Sequence, residues 1–123
     1  MKPFLDANVL VKAFFDNNEQ DSCKKVLCEE FITNMVCLAE AQEALATILK
    51  NQEQAASWMK SVFKANGVIV DVDKNTLFES FKYLDHLTIW DAIHYATALL
   101  NNCSEIVSYD KDFDGLKIKR MEP

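Results

Sequence analysis

The chain has 123 residues, half of them hydrophobic and 26% charged, with a net charge of −6 and only two glycines and two prolines. That length and composition fit one globular domain over 1–123, with a single core, short loops and mostly regular structure. The acidic balance excludes a general nucleic-acid-coating protein, which would be basic, but not an enzyme whose acids are gathered to hold cations.

No run of residues reaches membrane-span length and no signal-peptide pattern opens the chain, so a cytoplasmic protein without membrane attachment is expected. Cys23, Cys28, Cys37 and Cys103 show neither C-x-x-C spacing nor a nearby histidine pair. Reduced packing thiols are the expectation.

In chain order, "KPFL" is a short apolar run ending at Asp6 and predicts a buried strand. "ANVLVKAFF" follows with Val9, Leu10, Ala13 and Phe14 at helical spacing. Cys23, Val26 and Leu27 predict a second, more exposed helix over Glu19 to Glu30, and "FIT" a short strand. Leu38, Ala41, Leu45, Ile48 and Leu49 mark a helix from Met35 to Lys50. Another helix is expected from Gln52 to Ala65, with Met59, Val62 and Phe63 facing inward and Gly67 near its C-cap. "VIVDV" is the clearest strand. Asp73 is placed to cap a helix whose Leu77, Phe78, Phe81 and Leu84 make one face. The helix "TIWDAIHYATALL" (Thr88 to Leu100), the strand "EIVSY" and the tail "LKIKRMEP" complete the chain. Strands alternating with helices point to an α/β fold, a central mostly parallel sheet flanked by helices on both faces through right-handed crossovers.

In such a sheet, sites form beyond the carboxyl ends of the strands near a topological switch point. Asp6 follows the first strand, and Asp110 follows "EIVS", with Asp112 and Asp114 close behind. Asp91 opens the helix feeding that strand, and Glu40 sits in the helix after "FIT". Asp6, Glu40, Asp91 and Asp110 therefore converge on one edge. Two carboxylates about 4 Å apart repel by roughly 4 kcal/mol at an effective dielectric of about 20, so the cluster calls for a cation. Hard oxygen donors without cysteine or histidine pairs suit Mg²⁺ or Mn²⁺, and such ions activate water at phosphodiesters.

"LDANVLV", "CLAEAQEAL", "IWDAIHYATAL" and "IVSYDKDFD" resemble, in order and spacing, the successive motifs of PIN-domain ribonucleases. The similarity extends over essentially the whole chain and is greatest to small prokaryotic VapC-type toxins. It implies a Rossmann-like PIN fold and metal-dependent RNA cleavage, with the family's acids falling on Asp6, Glu40, Asp91 and Asp110. Asn8 fits the small polar position steadying the first acid, and Ser108 the hydroxyl before the last. A toxin role, restraint by a small antitoxin protein and assembly as a homodimer are further implications.

Each residue also has a plainer reading. Thr88 and Asp91 have capping-box spacing, and an acid in a first helical turn suits the dipole. Glu43 shares a helical face with Glu40 and competes with it. Asp112 reads as a supplementary metal ligand or a turn acid, and Asp114 as a surface residue. His94 reads as a partly buried, hydrogen-bonded histidine, Phe113 as packing, and Lys111, Lys117, Lys119 and Arg120 as phosphate contacts or a solvated edge. The rival functions are a receiver-like phosphorylation module, which lacks its usual adjacent acids and Lys-Pro here, and a PIN fold that only binds RNA or protein.

Overall fold

In the computed structural model, which describes residues 1–123, five short strands form one sheet. They are β1 (Phe4–Leu5), β2 (Phe31–Asn34), β3 (Gly67–Val70), β4 (Glu105–Val107) and β5 (Lys119–Met121). Their order is β3-β2-β1-β4-β5, and every neighbouring pair is parallel. Strands buried on both faces need near-continuous apolar runs rather than alternation. Phe4, Leu5, Phe31 and Ile106 supply them and are fully buried.

Six helices connect the strands: α1 (Ala7–Lys12), α2 (Gln20–Leu27), α3 (Met35–Leu49), α4 (Gln52–Val62), α5 (Lys74–Ser80) and α6 (Ile89–Leu100). The chain steps outward from β1 to β2 to β3, then crosses back to place β4 on the far side of β1. Right-handed crossovers in opposite directions put the connecting helices on opposite faces. α1 packs on α2 and α3, and α3 on α4; α5 packs on α6, which lies against β2 and β4. A core of 26 buried residues joins the layers.

Helix boundaries follow local chemistry. Asn34, Asn51 and Asp73 each accept the backbone N–H three residues on, at 2.8, 3.0 and 2.9 Å. Lys50 ends α3 in the left-handed conformation at φ 52°.

Three expectations are corrected. Gly67 is not a helix cap but the first residue of β3, paired with Phe31. A Cβ there would lie 2.2 Å from the Phe31 ring, so close approach is what demands glycine. Phe63 points outward and is 65% exposed, because α4 has ended at Val62 and Phe63 is its cap residue. Leu77, Phe78, Phe81 and Leu84 are exposed as well, and the small polar Thr76 and Ser80 face inward instead. The helical period there is right and its phase is wrong; small side chains let α5 approach α6 closely. The C-terminal tail contributes β5, the edge strand beside β4.

Candidate active site

All five strands are parallel, so their carboxyl ends share one edge, and the switch point lies between β1 and β4, where connections diverge. Asp6 follows β1 there as the N-cap of α1. Its Oδ1 accepts from Ala7 N–H at 2.8 Å, and its Oδ2 from the Ser108 hydroxyl at 2.7 Å and Asn8 Nδ2 at 3.4 Å. Ser108 in turn accepts from Asn8 Nδ2 at 3.1 Å and from Asp110 N–H at 3.0 Å, while Asn8 Oδ1 accepts from Tyr109 N–H at 3.3 Å. Asn8 and Ser108 thus tie the ends of β1 and β4 together around one buried carboxylate. Burial raises the Asp6 pKa, and His94 and the Ser108 and Ala7 hydrogen bonds oppose that rise.

Asp91 lies in the first turn of α6, where the helix dipole favours an anion. The capping box expected from spacing does not form: Thr88 has the extended backbone of an N-cap, but its side chain makes no capping hydrogen bond. The Asp91 pKa is pushed up to about 6, first by burial and then by the charges of Asp110 and Asp6. Asp110 accepts from Asp112 N–H at 2.9 Å and opens a 3-10 turn over Lys111–Phe113. Phe113 is fully buried and anchors that turn in the core. His86 Nε2 lies 3.1 Å from both the Asp112 and Asp114 carbonyls. Carboxylate oxygens of Asp91, Asp110 and Asp112 come within 4.8 Å of one another.

Glu40 reaches the same place from α3, its Oε1 2.6 Å from His94 Nε2. A pocket of about 390 Å³ collects Asp6, Asn8, Lys12, Glu40, Asp91 and Asp110 on its walls. Glu43 is outside it and lines an adjoining groove with Met35, Val36 and Trp90. Asp112 stays at the exposed rim, and Asp114 is exposed and paired with Arg120 at 2.8 Å. Arg120 also donates to the Ser108 carbonyl at 3.1 Å and Glu122 at 2.8 Å, so it fastens the β4–β5 loop and is not free for phosphates.

Two acid-containing clusters have the spacing of metal ligands, and their chemistry separates them. Asp91, Asp110 and Asp112 offer hard oxygen donors, crowded like charges and no basic partner, a set that fits Mg²⁺ or Mn²⁺. Asp6, Cys37 and His94 do not fit: Cys37 is buried with its thiol pKa pushed up by burial, and both His94 ring nitrogens have protein partners.

Three residues have roles that their sequence positions do not show. Lys12 is the one basic side chain on the pocket wall, bridged to Glu19 at 2.7 Å and lying over the Tyr109 ring at 4.4 Å. Arg120 was legible as a basic residue but not as a clasp. Asn34, before an apolar helix, carried a readable N-cap signal. Nothing local announced its second attachment, to α6.

A doubly wound, all-parallel α/β fold with carboxylates gathered at its switch point defines the class of protein. The PIN domain model matches residues 4–119, and the chain belongs to the PIN-domain family. Among solved structures, Mycobacterium tuberculosis VapC20, described as a sarcin–ricin loop cleaving toxin, superposes with a TM-score of 0.82 at 14% identity, covering 99% of this chain and 100% of that one. VapBC2 from Rickettsia felis, bound to a DNA fragment from its promoter, has a TM-score of 0.75 at 19% identity, covering 99% and 98%. A toxin–antitoxin complex from Klebsiella pneumoniae has a TM-score of 0.74 at 18% identity, covering 94% and 93%. No curated protein sequence matches the chain.

Proposed function

We propose that this chain, acting as one domain, is a metal-dependent ribonuclease that hydrolyses RNA phosphodiester bonds as the toxin of a type II toxin–antitoxin pair. The observation that carries the reading is the convergence of Asp6, Glu40, Asp91 and Asp110 in one pocket at the switch point. Family membership and the toxins among its structural neighbours support it.

Asp6, Asp91 and Asp110 would hold Mg²⁺ or Mn²⁺, with Asp112 contributing from the rim. A bound divalent ion supplies a water of lowered pKa and charge stabilisation for the attacking and leaving oxygens. The chain's own contribution is geometric and electrostatic. Asn8 and Ser108 hold Asp6 in place, and Glu40 orients the attacking water. The free cysteines fit action in a reducing cytoplasm.

Two partners suit this surface. An acidic pocket suits an antitoxin that inserts an arginine, which engages carboxylates bidentately. The row Leu77, Phe78, Phe81 and Leu84, from 39% to 72% exposed, suits burial in a homodimer. The central test is cleavage of single-stranded RNA with Mg²⁺ or Mn²⁺, abolished by EDTA and by Asp6→Asn or Asp110→Asn. Unchanged cleavage by both purified variants would sink the assignment.

A further inference from the structure

Behind Glu40 lies a buried polar chain that links α3, the end of β2 and α6. Cys37 N–H donates to Asn34 Oδ1 at 2.8 Å, which fixes the orientation of the Asn34 amide. Its nitrogen, Nδ2, then faces Thr97 Oγ1 at 3.0 Å and His94 Nδ1 at 3.1 Å. The Thr97 hydroxyl spends its proton on the Ile93 carbonyl at 2.8 Å, so it accepts from Asn34. An amide nitrogen only donates, so His94 Nδ1 must accept. The ring proton therefore sits on Nε2, 2.6 Å from Glu40 Oε1. Backbone groups at two points set the direction of every bond in the chain.

The neighbouring thiol does not upset this polarity. Cys37 Sγ lies 3.5 Å from Nδ1 and 3.7 Å from Nε2, nearly equidistant, so it is the in-line partner of neither. Burial opposes a charge on the ring, whereas Cys37, Glu40 and Asp6 favour one and together push the His94 pKa up to about 11, the largest raising contribution being that of a Cys37 thiolate. The Cys37 contribution lapses because burial keeps that thiol protonated. His94 is 1% exposed and its ring lies near Phe4 at a centroid distance of 6.0 Å. Asn34 is fully buried too.

We infer that Asn34 and His94 are positioning residues: Asn34 selects the Nε2–H tautomer of His94, and that N–H holds Glu40 Oε1, leaving Oε2 to face the pocket. Without it, Glu40 is a half-exposed side chain on a helix surface, free to sample rotamers that point away from Asp6 and Asp91. The relay gives Glu40 one orientation without a cation beside it. The inference rests on the ribonuclease reading for Glu40's task, but the hydrogen-bond polarity stands independently of it.

The test joins a spectroscopic readout to kinetics. In metal-free wild type at neutral pH, nitrogen-15 NMR of the imidazole is expected to show His94 protonated at Nε2 and bare at Nδ1. Asn34→Ser, which keeps a capping oxygen and removes the amide donor, is expected to abolish that single-tautomer signature. His94→Leu is expected to lower kcat for RNA cleavage about 10- to 100-fold with KM little changed, the range seen for groups that orient a ligand. His94→Gln, whose amide reaches toward Glu40 as a donor, is expected to recover part of the loss, with circular dichroism confirming the fold of each variant. A proton on Nδ1 in wild type, or an active wild type matched by His94→Leu, overturns the inference. A wild type inactive with both Mg²⁺ and Mn²⁺ but showing the Nε2–H tautomer overturns the nuclease reading, and with it the task assigned to Glu40, while the hydrogen-bond polarity survives.

Discussion

The two walls of the pocket hold the same residue type with different support. On the β1–β4 wall, Asp6 is 5% exposed and accepts hydrogen bonds from Ala7, Ser108 and Asn8. On the wall made by the start of α6 and the turn after β4, Asp91 is only half-buried, yet its pKa is pushed up to about 6 by burial and by Asp110 and Asp6. Burial raises the pKa of both, so the difference is in what fixes the side chain. Asp6 is held by the protein itself, so its geometry is set before any ligand arrives. Asp91 and Asp110 face each other with little protein compensation, so their like charges constitute a standing demand for a cation.

The comparison can be broken most decisively at the catalytic step. Asp6→Asn and Asp110→Asn are each expected to reduce RNA cleavage by more than about a hundredfold, exceeding the loss typical of an orienting group. Initial rates with saturating Mn²⁺ check this, and similar losses at both sites would show that preorganised and frustrated acids are equally required.

Asp91→Asn separates the walls thermodynamically. It removes like-charge repulsion, so in EDTA its melting temperature is expected at or above wild type, while the stabilisation by added Mn²⁺ shrinks. A destabilised variant with the full Mn²⁺ shift would make Asp91 a first-turn dipole partner only. Ser108→Ala has the opposite signature. It takes a donor from a buried carboxylate and is expected to cost about 1–3 kcal/mol in urea unfolding, in EDTA as much as in Mn²⁺.

The pH dependence sharpens the same contrast. The folded Asp91 pKa of about 6 lies above its ordinary value of 3.8, so between these values the native state binds more protons than the unfolded chain. The Asp91 contribution to metal-free stability is therefore expected to rise as pH falls from above 6 toward 4. The wild type minus Asp91→Asn difference in unfolding free energy isolates it, and excess Mn²⁺ is expected to flatten it. The smallest effect belongs to Asp112→Asn at the exposed rim, with stability within about 0.5 kcal/mol of wild type and cleavage reduced less than at Asp91. A loss as large as Asp91's would promote Asp112 to a full ligand.

What the sequence by itself determined was the order of elements and the set of acids. A strand followed at once by Asp6, and another followed by Ser108 and Asp110, must present those side chains at one edge once the sheet is parallel. Alternating strands and helices make it parallel. Tertiary structure alone decided which face of a periodic helix turns inward. In α5 the apolar row Leu77, Phe78 and Phe81 has helical spacing, yet Thr76 and Ser80 are buried, because periodicity specifies which residues share a face and not which face meets the core. It also set Glu40 apart from Glu43, which shares its helix but makes no contact with His94. Polar partnerships such as Asn34 with His94, 60 positions apart, depend on how α3 and α6 are set on β2, and no local spacing encodes that distance.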